Sequence, residues 1–124
     1  DEARLLTGLD NPVAQARRFV AMGAAVAVVT RGGDGLAAAT RDGAWTAPAF
    51  PVEVVDGSGS GDAFDAGFIL GLLEGWDLDR TLGFAAAVGA SCCRRLGTTD
   101  GVFTRAEAEA FVAGHPFALR PARA

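Results

Sequence analysis

Hydrophobic positions alternate between two spacings along this chain, and the change of spacing marks its elements. Asn11 followed by Pro12 has the form of a helix start, an N-cap with proline at the first helical position. Apolar residues at helical spacing then run through Phe19 and Val20 to Met22, where Gly23 supplies a stop. Ala24 to Thr30, AAVAVVT, is a short valine-rich run that predicts a strand buried on both faces. RGGDG, Arg31 to Gly35, is a turn cluster, and Leu36 to Thr40 predicts a second strand. Arg41-Asp42-Gly43 carries an Asp-Gly hairpin signal, with Trp45 on the returning strand. Val52 to Val55 predicts another short strand, ending at Asp56.

The second half of the chain is helical in pattern. Ala63 to Leu73 is apolar almost all round, as expected of a helix buried within a layered protein. A further helix is expected from an Asp77 cap through Phe84, Ala87 and Val88 to Gly97. Thr104-Arg105-Ala106-Glu107 has capping-box form and opens a last helix reaching Gly114. The tail from His115 has no periodicity. Helices alternating with short buried strands predict an α/β layered fold with a mostly parallel sheet. Asp1 begins inside a helix-like or cap-like segment, DEARLLTG, so the expectation is a piece of a longer chain.

Composition narrows the function classes. With 124 residues, half of them apolar, the chain is one domain at most and can bury a core. Its net charge of −4 argues against nucleic acid and against an anionic membrane surface as partners, and no apolar stretch reaches the length of a membrane span. All eleven basic residues are arginine. Cys92 and Cys93 are adjacent, which gives neither a disulfide framework nor metal-ligand spacing; two small buried thiols in a reducing cytoplasm are expected.

The most informative stretch is VVDGSGSGDAFDAGF, Val54 to Phe68. Its GSGSG core has the composition of a flexible linker. A linker, however, separates segments that fold independently and is usually flanked by polar residues. Here the cluster joins a strand directly to an apolar helix, which is the arrangement of an anion site. The first N–H groups of a helix have no partner within it, the dipole adds partial positive charge, and glycine lets a phosphate approach the main chain.

The known glycine motifs do not fit. The Walker form needs a lysine after its last glycine, and the chain has none. The dinucleotide fingerprint needs a glycine at its sixth position; counting from Gly57 that position is Asp62, and from Gly59 it is Phe64. Asp62 is the unusual feature. A carboxylate in the first helical turn suits the dipole, but beside a phosphate nest it repels the anion unless it has another task. One such task is to accept the proton of a hydroxyl attacking the phosphoryl group, while the amides of Gly59, Ser60 and Gly61 stabilise charge on the transferred phosphate.

This stretch resembles the C-terminal signature of the PfkB, or ribokinase-like, carbohydrate kinases, Asp-Thr-x-Gly-Ala-Gly-Asp-x-Phe-x-x-Gly-Phe. Asp56, Gly59, Gly61, Asp62, Phe64, Gly67 and Phe68 match it; Gly57 replaces the threonine and Ser60 the alanine. Three further stretches agree in order. Thr30-Arg31-Gly32-Gly33-Asp34-Gly35 is similar to the family's Thr-x-Gly-x-x-Gly nucleotide loop. Phe84 to Ala90, FAAAVGA, is similar to its adenine-side helix, with Ala86 where many members have asparagine. Glu2 to Gly8 is similar to the segment holding the glutamate of an Asn-x-x-Glu motif.

The resemblance implies a ribokinase-like three-layer α/β/α fold, of which residues 1–124 would be the C-terminal, nucleotide-binding portion, without the sugar-binding part and lid. It implies ATP-dependent phosphorylation of a sugar hydroxymethyl group, with Asp62 as the base and Gly59, Ser60 and Gly61 as the anion hole. Thr30, Gly32 and Gly35 would line the phosphate and ribose side of ATP, and Ala86 the adenine side. Glu2 would organise Mg²⁺ and its waters, and Asp56 would sit near a monovalent cation such as K⁺. A homodimer of the full-length parent is a further implication. Two alternatives remain open: a vitamin kinase of the same fold acting on pyridoxal or hydroxymethylpyrimidine, and a non-catalytic remnant that binds nucleotide or nothing.

Overall fold

The computed structural model describes residues 2–31, 34–50, 60–92, 103–115 and 117–122, with Glu2, Ser60 and Cys92 as backbone only. They divide into two compact units: Asp1–Ala49 with Ala118–Ala124, and Phe50–Phe117.

The first unit sets two helices on a small sheet. Helix α1 covers Glu2–Thr7 and helix α2 covers Pro12–Ala21. The Asn11 side chain caps α2 by accepting from the amides of Val13 and Ala14, at 2.9 and 3.1 Å. At the other end Gly23 takes a φ of +116° and lets the chain turn away. Strands β1 (Val26–Thr30), β2 (Leu36–Thr40) and β3 (Gly43–Ala47) follow, and β4 (Arg120–Pro121) adds to the far edge. The order is β1-β2-β3-β4. Ala16 of α2 closes on Ala27, Val29, Ala39 and Ala44, with Phe19 and Val20 around them. The small side chains of Ala37, Ala38 and Ala39 are fully buried, so α2 can approach β2 closely.

Three expectations are corrected here. The sheet is not mostly parallel: among the described residues every pairing is antiparallel. Thr30 pairs with Leu36 across a five-residue turn, and Thr40 pairs with Gly43 across Arg41-Asp42. Connections that short cannot carry the crossover a parallel neighbour requires. The predicted Asp-Gly hairpin is present at that second turn. Strand β1 is not buried on both faces; its residues alternate between buried and partly exposed, Thr30 being exposed. The aperiodic tail yields β4, held by Trp45↔Pro121 and Thr46↔Arg120 and by Ala122 N–H donating to Ala44 O at 2.8 Å. The strand expected over 52–55 lies outside the described residues.

The second unit is helical. Helices α3 (Ser60–Glu74) and α4 (Leu78–Cys92) form an antiparallel hairpin, and α5 (Arg105–Gly114) packs on α4. Gly75, at φ +72°, turns the chain between the first two. Asp77 caps α4 as expected, its Oδ1 accepting from Arg80 N–H at 2.8 Å. The capping box of α5 is complete: Thr104 Oγ1 accepts from Glu107 N–H at 3.2 Å, and Glu107 Oε1 from Thr104 N–H at 2.9 Å. Phe50, Phe84, Ala87, Val88 and Ala108 form the core, with Phe50 edge-on to Phe111 at 5.1 Å. Helix α4 ends at Cys92 among the described residues, short of the expected Gly97, which lies outside them. Helix α3 departs from the expected all-round burial: Ile69, Leu72 and Leu73 are exposed. Among the described residues of this unit, α4 is the main packing partner of α3.

Candidate active site

The mouth of α3 is built by four small or acidic residues, Ser60 to Ala63, that leave its first turn uncluttered. Among the described residues, a Cβ placed on Gly61 would meet nothing within 4 Å. The first amides of a fifteen-residue helix have no intrahelical partner. An open approach to such amides fits a phosphate group, which needs close contact with N–H donors and no intervening side chain. Asp62 stands in the same turn and is exposed.

The remaining residues of the glycine-aspartate motif turn inward. Phe64 is buried and stacks on Phe68 with ring centroids 6.4 Å apart. Gly67 lies against α4, where a Cβ would come 2.9 Å from the Cα of Ala85. The motif therefore divides by exposure. Gly61 and Asp62 are exposed, while Phe64 and Gly67 are buried and dock the helix that carries them. Gly59 and Asp56 lie outside the described residues.

On α4, Ala85 and Ala87 are fully buried and Ala86 is half-buried against the core of this unit. Ser91 ties the end of α4 to the start of the next segment. Its hydroxyl donates to Val88 O at 2.7 Å and accepts from Phe103 N–H at 2.9 Å.

The other predicted group belongs to the first unit. Thr30 ends β1 and is exposed, and Arg31 N–H donates to Gly35 O at 2.8 Å to close the turn. Gly35 itself is buried, with φ +90°; a methyl group there would collide with the Ala47 carbonyl oxygen and lie 2.9 Å from Pro48 Cα. Its glycine is thus demanded by the sheet. Gly32 lies outside the described residues. Glu2 opens α1, and its side chain is not described. Ser60, Gly61 and Asp62 therefore share one turn, while Thr30 and Gly35 share another in the other unit.

Elsewhere the described residues offer less to chemistry. They contain no cluster of three or more His, Cys, Asp or Glu side chains able to hold a metal, and no helix long and apolar enough to cross a membrane. His115 is exposed and stacks on Phe111 at 4.1 Å. Trp76 is a packing residue: it meets Phe84 edge-on at 5.2 Å, and the guanidinium of Arg80 covers its ring at 3.9 Å. A cavity of about 320 Å³ beside it is lined by Trp76, Arg80, Phe84, Glu109, Val112 and Ala113, and includes none of the predicted site residues.

The family profile described as pfkB family carbohydrate kinase matches residues 1–105. This chain belongs to that family. Among PfkB relatives, a 5-dehydro-2-deoxygluconokinase from Clostridium perfringens is 36% identical over 105 residues, covering 77% of this chain and 31% of the relative. An ATP-dependent 6-phosphofructokinase from Thermoanaerobacterium thermosaccharolyticum is 35% identical over 97 residues, covering 78% of this chain and 30% of the relative. A protein from E. coli described as a ribokinase II, solved with ATP and Mg²⁺, superposes with a TM-score of 0.83 at 31% identity, over 92% of this chain and 37% of that one. The fold is ribokinase-like, and the chain spans less than a third of the length of the curated PfkB relatives it matches.

Proposed function

We propose that the protein phosphorylates a hydroxyl of a sugar or sugar-like alcohol with ATP, and that residues 1–124 are its C-terminal, nucleotide-side portion. The observation that carries this reading is the exposed Asp62 carboxylate in the first turn of α3, next to Gly61, where an added Cβ would meet no described residue within 4 Å. The carboxylate accepts the proton of the acceptor hydroxyl as its oxygen attacks the γ-phosphorus of ATP and the bond to the ADP oxygen breaks. The amides of Gly59, Ser60 and Gly61 hold the phosphoryl oxygens, where charge builds. Placing base and amides in one helical turn fixes their separation, which favours an in-line approach.

The nucleotide is assigned to Thr30, Gly32 and Gly35 on its phosphate and ribose side and to Ala86 on its adenine side. Gly35 acts indirectly, by shaping the turn that presents Thr30. Mg²⁺, when bound, spreads the charge of the β- and γ-phosphates, with Glu2 ordering its waters; Asp56 is assigned to a neighbouring monovalent cation. Support for ATP and Mg²⁺ comes from the solved relative that holds both, and support for a sugar acceptor from the named substrates of the PfkB relatives.

Asp62→Asn in the full-length protein tests the reading. Proton acceptance by a positioned carboxylate is worth about 10²–10⁴-fold, so kcat should fall by that range while ATP affinity stays within about threefold. ADP release in a coupled assay, over a panel of sugars, sugar phosphates, pyridoxal and hydroxymethylpyrimidine, gives the measurement. Undiminished turnover removes Asp62 from the role, and turnover only with the vitamin substrates replaces the sugar.

A further inference from the structure

The seam between α3 and α4 is closer than the motif alone requires. Gly67 faces Ala85, and four residues on Gly71 faces Thr81, four residues back along α4. At Gly71 an added Cβ would lie 2.6 Å from both Cγ2 and Oγ1 of Thr81 and 2.9 Å from its Cβ. Thr81 is 1% exposed, and its hydroxyl, pressed into this seam, has no hydrogen-bond partner among the described residues. A buried hydroxyl without a partner is normally selected against or rotated onto a carbonyl. Its presence at the tightest point of the seam means that shape, and not hydrogen bonding, decides this contact.

We propose that Gly71 is a positioning residue: through Thr81 it sets how closely α3 lies on α4, and so where the mouth of α3 holds the Asp62 carboxylate. The inference rests on the kinase reading above. A side chain at position 71 must move the helices apart by about 0.8 Å to restore an ordinary contact with Thr81. The Gly67–Ala85 contact is the nearest fulcrum. It lies four residues from Gly71 and five from Asp62, so at about 1.5 Å of rise per residue the two lever arms are nearly equal. The mouth of α3 then tips by about 1 Å, and a misplacement of that size can cost a transfer reaction about 100-fold.

The test is a graded series in the full-length protein, assayed well below the lowest melting temperature of the set. Gly71→Ala should lower kcat by about 10- to 100-fold while the KM for ATP moves by less than about threefold. In that background Thr81→Ala, which leaves the Cβ at 2.9 Å, should recover part of the loss, and Thr81→Gly most of it. Wild-type kcat in a folded Gly71→Ala protein overturns the proposal. If that variant does not fold, the two double variants decide: equal kcat in both overturns the proposal, and a higher value with glycine at position 81 supports it. Asp62→Asn is run alongside. A flat Gly71 series with a strong Asp62 effect refutes this inference and leaves the kinase reading standing. A null Asp62 effect refutes the base assignment whatever the seam shows.

Discussion

Gly35 and Gly61 both belong to glycine clusters assigned to phosphate binding, yet their surroundings are opposite. Gly35 has a left-handed backbone and no room for a methyl group beneath Ala47 and Pro48, whereas a Cβ on Gly61 would meet none of the described residues within 4 Å. The first is therefore fixed by folding, and nothing among the described residues around the second demands a glycine. Gly35→Ala should destabilise the protein by more than about 2 kcal/mol, because the left-handed conformation alone costs a side-chain-bearing residue about 1–2 kcal/mol and the collision adds to it. Urea denaturation checks this; a loss within about 0.5 kcal/mol, the range of an ordinary surface substitution, contradicts it. The sequence shows both glycines with equal clarity and cannot separate them, because the partner of Gly35 is a carbonyl twelve residues away on another strand. The base role proposed for Asp62 rests on its neighbours in the chain: a carboxylate beside a phosphate nest would be costly unless it worked, and the structure adds that Asp62 is exposed in the first turn of α3.

Elements whose ends are set by local hydrogen bonds are the ones the sequence reveals best. The Asn11 cap, the Asp77 cap and the Thr104–Glu107 box all form where their residue types stand. Each involves groups two or three residues apart, so no tertiary information is needed. Thr104→Ala removes the acceptor for Glu107 N–H and should cost about 1 kcal/mol, which lowers the melting temperature by roughly 4 °C. A shift below about 1 °C on a calorimetric scan places α5 under the control of its packing on α4 instead. The outer bridge from Arg105 to Glu109 and Glu74 adds little to that balance. Its hydrogen bonds, Glu109 first, raise the arginine above its already alkaline range, and the pairs stand in solvent. A raised basic group loses its contribution only as pH climbs through the folded value, so this bridge lends no pH dependence near neutrality. Strand direction and helix exposure are harder to read. The five- and two-residue connections after β1 and β2 do signal antiparallel pairing, but the alternation of helices and apolar runs points the other way. For α3 the apolar pattern is correct about composition and wrong about cover: Ile69, Leu72 and Leu73 stand exposed, because an apolar run all round a helix says that every face favours burial and not what lies against each one.

The 124-residue chain carries a net charge of −4, and ATP is itself strongly anionic, so the long-range field of these residues opposes nucleotide capture. On the reading proposed above, capture would come from short-range donors, the amides at the mouth of α3 above all. Several arginines are engaged elsewhere: Arg4 bridges to Asp10 at 2.8 Å, and Arg105 to Glu74 and Glu109 at 3.1 and 3.2 Å. The stretches of this chain that align with two kinase relatives correspond to only 31% and 30% of those relatives, and on the reading proposed above most groups that orient the acceptor would lie outside residues 1–124. Orientation accounts for about 7–11 kcal/mol of barrier lowering when both reactants are held, and a segment that holds one reactant forgoes it. The 124-residue chain should therefore bind ATP no more tightly than about 1 mM, near −4 kcal/mol, and should release no ADP above background with any sugar in the panel. Calorimetric titration and the coupled ADP assay measure the two quantities. Because the opposing field is screened by salt while amide contacts are short-ranged, raising ionic strength should leave that affinity level or increase it slightly. A steep loss of ATP binding with salt would show that arginine side chains, not the helix mouth, grip the nucleotide. Sugar-dependent ADP release by the 124-residue chain would show that its own residues suffice to orient the acceptor.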